Sequence, residues 1–100
     1  SLAYDTNRDL AQGTGFQQLS TDVGNGNDES VSGYLSLFNP SDTTFVKHFI
    51  ASTNGYYSGD ATANAFVTGY FNTTSDVDAI QFKFVSGNID AGTFKLYGIN

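Results

Sequence analysis

Cysteine, methionine and tryptophan are absent from this 100-residue chain, proline occurs once, and only Arg8, Lys47, Lys83 and Lys95 are basic. Each absence excludes a class of chemistry. Without cysteine there is no disulfide framework, no thiolate metal site and no thiol nucleophile. Four cations stand singly against ten acidic residues, with a formal net charge of -6 and a pI near 4.1. Such a chain has no basic patch to track successive phosphates, so nucleic acid is not an expected partner. No apolar run approaches the roughly 20 residues of a membrane-spanning helix, and no charged segment followed by an apolar one marks a signal peptide. Membrane insertion is not expected. Helix formers are scarce as well, since Glu, Lys, Arg, Met and Leu together supply 11 residues.

What remains favours strands and turns. Ser, Thr, Asn and Gly supply 41 residues, and nine Phe and six Tyr bring the aromatics to 15%. Aromatic side chains suit a pleated, half-buried surface, while Asn, Gly, Asp and Ser suit the turns between strands. The expected fold class is therefore all-β, in a single domain over residues 1–100. Residues 1–32 read as a loosely structured lead-in and loop, and 33–100 carry the main strands.

Alternation is clearest in residues 77–85, where Ile80, Phe82 and Phe84 share one side. The turn-rich stretch 86–92 and a second run over 93–99, with Phe94 and Leu96 on one side, complete an expected hairpin with a common core face. Residues 44–51 and 65–71 also read as strands, but both faces of each are partly apolar and periodicity does not say which points inward. Gly69 marks a bulge or a close approach. A fifth strand over 34–38 is stopped by Asn39-Pro40-Ser41-Asp42, and weaker strand patterns cover 2–6 and 15–21. Turn chemistry occurs at Thr53-Asn54-Gly55 and Ser58-Gly59-Asp60, which flank Tyr56-Tyr57, and at residues 72–76. Five strands at turn spacing suggest an antiparallel β-sandwich that is short of strands in this chain. Its open edges would need a partner, a missing segment or another copy.

Catalytic constellations are thin, and the expected answer on enzymatic activity is no. His48, the only histidine, lies in a strand without a positioned nucleophile or orienting carboxylate, so a structural or contact role outweighs general base catalysis. Asp76 and Asp78 read as solvated charges at a loop edge rather than a glycosidase pair. The stretch from Asp22 to Glu29 concentrates the oxygen ligands that Ca²⁺ prefers, but its spacing matches no established calcium loop, and no metal or cofactor is assigned. Gly13-Thr14-Gly15 and Gly24-Asn25-Gly26 lack the helix and lysine of a phosphate cradle. Asn72-Thr73-Thr74 has the form of a glycosylation sequon and equally of a turn. The best binding candidate is Tyr56-Tyr57 with Asp60, in an expected loop, because aromatic faces beside amides and carboxylates engage sugars by stacking and hydrogen bonding.

One family resemblance runs from Asp9 to Ile99. It is carried by Asp9-Leu10-Ala11-Gln12-Gly13-Thr14-Gly15-Phe16, by Ser32-Gly33-Tyr34-Leu35-Ser36-Leu37-Phe38-Asn39-Pro40-Ser41 and by Thr44-Phe45-Val46-Lys47-His48-Phe49-Ile50. It continues through Gly69-Tyr70-Phe71-Asn72-Thr73-Thr74-Ser75, Ala79-Ile80-Gln81-Phe82-Lys83-Phe84, Ser86-Gly87-Asn88 and Lys95-Leu96-Tyr97-Gly98-Ile99. As an ordered set these resemble the C-terminal jelly-roll-like domain of structural proteins of marine bacteriophages, in virion or tail-fibre-like proteins. The resemblance implies a jelly-roll-like sandwich located on the virion, as tail fibre, appendage or capsid decoration. Its partners would be copies of itself and other virion proteins, with no catalytic or metal residue to transfer. Related domains are longer, with strands before the part represented here, so further strands before Ser1 or neighbouring chains are expected to complete the sheets. The alternative expectation is a carbohydrate-binding module that recognises a host surface glycan as receptor through Tyr56, Tyr57 and Asp60.

Overall fold

Three runs in the middle of the chain alternate in register with one another, and they build one antiparallel sheet. The structure, a computed structural model, describes residues 2–20, 23–24, 26, 29–57, 59 and 61–99. Strands β1 (Val31–Leu37), β2 (Lys47–Tyr57) and β3 (Ala61–Phe71) pair in the order β1-β2-β3. Leu35 lies opposite Ala51 and Leu37 opposite Phe49, while on the other flank of β2 Ala51 meets Val67 and Phe49 meets Gly69. In both pairings odd residues face odd and even face even. Because successive side chains point to opposite sides, the sheet has an odd face and an even face.

The odd face holds the core. Ala51 and Phe49 are buried there, at 1% and 7% exposure, and alternate residues of β3 from Ala61 to Gly69 are half-buried. Gly69 is required by the ring opposite it: a Cβ at this position would stand 2.9 Å from an edge carbon of Phe49. The expected close approach is therefore a pocket for one aromatic ring. Gly33 answers to backbone instead, since a Cβ there would strike the Ser52 carbonyl and come within 2.8 Å of the Thr53 Cα.

Small residues on the other half of this face, Ala63, Ala65 and Gly55, leave room for main chain. The N-terminal segment uses it, where the Thr53 hydroxyl donates to the Leu19 carbonyl at 2.7 Å, while the Tyr56 amide donates to the Ser30 carbonyl at 2.8 Å and continues the β1–β2 ladder by one position. Before that segment the chain makes a single 3₁₀ turn at Thr6–Arg8, capped by the Asp5 carboxylate on the Asn7 amide at 3.0 Å. No strand forms over 2–6 or among the described residues of 15–21, where paired partners are lacking.

Lys47, although charged, is 1% exposed on the odd face. Its stem lies beside the core, and its ammonium donates to the carbonyls of Phe45 at 3.2 Å and Thr73 at 3.4 Å. A buried cation needs such donors satisfied, and the result ties the start of β2 to the chain leaving β3.

Two expectations about strands are corrected. Thr53-Asn54-Gly55 is not a turn but the interior of β2, because cross-strand partners on both sides, Val31 and Ala63 for Gly55, outweigh local turn propensity. Tyr56 and Tyr57 accordingly lie in strand rather than loop, paired with Thr62 and Ala61, while Ser58 and Asp60 of the expected turn lie outside the described residues. The hairpin expected over 77–85 and 93–99 makes no ladder. Phe82 and Phe94 do stack, with ring centroids 5.4 Å apart, so the two runs meet through side chains without backbone pairing. Lys83 sits 4.1 Å over the Phe16 ring, and Val77 donates to the Pro40 carbonyl at 2.6 Å.

The chain is thus mostly β, with one three-stranded antiparallel sheet. Its accessible surface is 8425 Å², where a folded monomer of this mass exposes about 5,500 Å². The radius of gyration is 14.8 Å, against about 13 Å for a compact domain of 100 residues.

Candidate interaction face

The even face carries part of this exposed surface, at Tyr34, Ile50, Phe66 and Tyr70. Its central row across the sheet reads Tyr34, Ser52, Phe66; the next reads Ser36, Ile50, Thr68. A third row is Phe38, His48 and Tyr70, with Phe38 held in register by its amide donating to the His48 carbonyl at 3.0 Å. Large and small side chains alternate across the first two rows, whereas the third is large at all three positions. Tyr34 is 68% exposed, Phe66 67%, Tyr70 55% and Ile50 47%. Along the three strands no even-numbered residue is Asp, Glu, Lys or Arg.

Backbone alternation alone directs these side chains outward. Leu19 and Thr73 meet Thr53 and Lys47, whose side chains belong to the odd face, Lys83 reaches Phe16 of the N-terminal segment, and Val77 meets the turn at Pro40. Among the described residues the even face is exposed at Tyr34, Ile50, Phe66 and Tyr70.

One end of the face runs into a groove of about 350 Å³ lined by Phe38, Asn39, Asp42, Phe45, Val46 and His48. The turn that shapes it is the one expected from Asn39-Pro40-Ser41-Asp42, closed by the Asp42 amide on the Asn39 carbonyl at 3.1 Å, with Asn39 at φ 47. Asp42 then folds back and accepts from the amides of Phe45 at 2.9 Å and Thr44 at 2.6 Å. These two hydrogen bonds, Phe45 first, hold the Asp42 carboxyl below the usual carboxylate range, with Lys47 adding a smaller effect of the same sign. The carboxylate is occupied in making the loop. Elsewhere, the Tyr4 hydroxyl donates to Asp9 at 2.8 Å, and that hydrogen bond and the neighbouring charge raise its pKa.

Of the residues singled out from sequence, Tyr56 belongs to the even face at the far end of β2 and is half-buried. Tyr57 is the last residue of β2, and Asp60 lies outside the described residues. His48 stands on the even face with its ring 5.9 Å from that of Tyr70. Asp76 and Asp78 are exposed and lie outside any strand. Asp22, Asn25, Asn27 and Asp28 of the expected oxygen-rich loop lie outside the described residues, while Glu29 accepts from the Gly26 amide at 2.7 Å. Among the described residues no three His, Asp or Glu side chains converge as metal ligands, and no helix is long and apolar enough to cross a membrane.

Sequence reasoning passed over Tyr34, Ile50, Phe66 and Tyr70 as a group. The signal was present as the absence of charge at every second position of three strands, but it becomes a surface only once the register is known. No family model, curated protein or solved structure matches this chain.

Proposed function

We propose that this chain is a structural module of a bacteriophage virion, part of a tail fibre, appendage or capsid decoration, and that it acts through contacts between protein subunits. The observation that carries the contact role is the open even face, which sets Tyr34, Ile50, Phe66 and Tyr70 in solvent without a charged residue among its strand positions. Apolar surface of this kind is favourable to remove from water, at about 25 cal/mol per Å². Contiguous exposed apolar patches commonly mark protein interaction sites. The virion setting rests on the ordered resemblance from Asp9 to Ile99. Nothing in this role requires a cofactor or a catalytic group, and the acidic balance keeps an outward-facing particle surface soluble.

An antibody raised against the purified chain tests the setting. It is expected to label intact virus particles from the source culture under electron microscopy, at repeated positions on each particle. Signal confined to the soluble, particle-free fraction would overturn the reading.

A further inference from the structure

We infer that the even face of the sheet is closed by the even face of a second copy of this chain, so that two three-stranded sheets form one sandwich across a two-fold axis. The inference deepens the contact role proposed above and rests on it.

Three features select a second copy. The first is shape. Where large and small side chains alternate over two dimensions, as Tyr34, Ser52 and Phe66 do beside Ser36, Ile50 and Thr68, displacing the pattern by one position sets each large side chain over a small one. Alternation of large and small residues is what lets facing layers interdigitate. A surface that complements itself in this way suits an isologous contact, in which one patch serves both subunits. Packed sheets stand about 10 Å apart, the depth that interleaved aromatic side chains fill.

The second feature is charge. Each chain carries a net charge of -6, so two copies repel over most approaches. The even positions of β1, β2 and β3 hold no carboxylate, and an approach along this face brings no like charges together.

The third feature is area. The chain exposes 8425 Å², against about 5,500 Å² for a closed monomer of its mass. A standard protein interface removes about 800 Å² from each partner, and permanent homodimers remove more. Part of that excess lies on the even face, at Tyr34, Phe66, Tyr70 and Ile50, and part on the terminal segments, at Leu2, Tyr4, Val85, Leu96 and Ile99. Among the described residues the terminal segments meet Thr53 and Lys47 of the odd face, the turn at Pro40 and one another, and Tyr34, Phe66 and Tyr70 stay exposed.

Hydroxyl-radical footprinting of the unmodified full chain tests this directly, because the reporters are native rings. As concentration rises from about 1 to 100 µM, the reactivity of Tyr34, Phe66 and Tyr70 is expected to fall several-fold, while Tyr4 and Tyr97, at 78% and 75% exposure and away from the face, stay constant. Native mass spectrometry of Ile50→Lys supplies the second arm: the dimer population is expected to fall at least tenfold, whereas Val85→Glu, at a fully exposed position, leaves it unchanged. Ile50 points away from the core, and circular dichroism is expected to be the same for both variants. Constant reactivity at Tyr34, Phe66 and Tyr70 would overturn the inference, as would a dimer that survives Ile50→Lys. Each of those outcomes leaves particle labelling by the antibody intact, so a wrong face is distinguished from a wrong setting.

Discussion

At the residue scale, position 69 shows how a single missing atom sets the core. Phe49 is one of two buried apolar residues among those described, and its ring occupies the space that a side chain at Gly69 would fill. Gly69→Val is expected to push the ring off the odd face and lower unfolding stability by about 1–3 kcal/mol, the usual range for overpacking. Thr62→Val, on the opposite face of the same strand, should stay within about 0.5 kcal/mol. Urea unfolding of the two variants checks the contrast, and equal losses would remove the ring pocket from the account. Asp42 shows the same economy in a loop. Its carboxyl pKa is lowered by hydrogen bonds from Phe45 and Thr44. A group whose folded value lies below its unfolded one contributes stability above the unfolded value near 3.8 and loses it as pH falls through the folded one. The amide shifts of Thr44 and Phe45, followed by NMR, should therefore move together with a midpoint below about 3.8, and both should lose that step in Asp42→Ala. A midpoint at or above the ordinary carboxylate value would contradict the geometry.

Among the elements, the central strand carries the protection. β2 is paired on both sides over most of its length, β1 and β3 each on one side, and residues 77–99 make no ladder. Amide hydrogen exchange is expected to be slowest between Phe49 and Gly55, intermediate in β1 and β3, and fast in 80–85 and 93–97. Protection of the last two runs equal to that of β2 would mean that they pair in solution. The same elements show what was legible beforehand. The β-rich class, the strands around 34–38, 44–51 and 65–71 and the turn at Asn39-Pro40-Ser41-Asp42 follow from composition and local chemistry. The choice of inward face does not, because the hydropathy signal is mixed: Lys47 points to the core side while Ile50, Phe66 and Tyr70 point to solvent. Only cross-strand register, with Phe49 opposite Gly69, decides it. Asn54 and Gly55 mislead for a related reason, since pairing with neighbours on both sides makes strand of a turn sequence, and Tyr56-Tyr57 moves with them. In the C-terminal runs the apolar stripe was legible and Phe82 does meet Phe94. Alternation alone, however, does not specify a backbone partner.

The whole molecule is described by surface rather than by core. Among the described residues two apolar side chains, Phe49 and Ala51, are buried, and one charged residue, Lys47, is as buried as either. The chain exposes roughly half as much area again as a closed monomer of its mass. The described strands form one three-stranded sheet with its core on the odd side. The even face, whose strand positions hold no Asp, Glu, Lys or Arg, makes the proposed subunit contact the centre of the account. Sedimentation equilibrium of the full chain at about 100 mM salt, between roughly 1 and 100 µM, tests it most directly, since screening shortens the reach of the net negative charge to about 10 Å. The account predicts a mass that rises with concentration to twice the 10.7 kDa of the chain. A single species of 10.7 kDa at every concentration would contradict it.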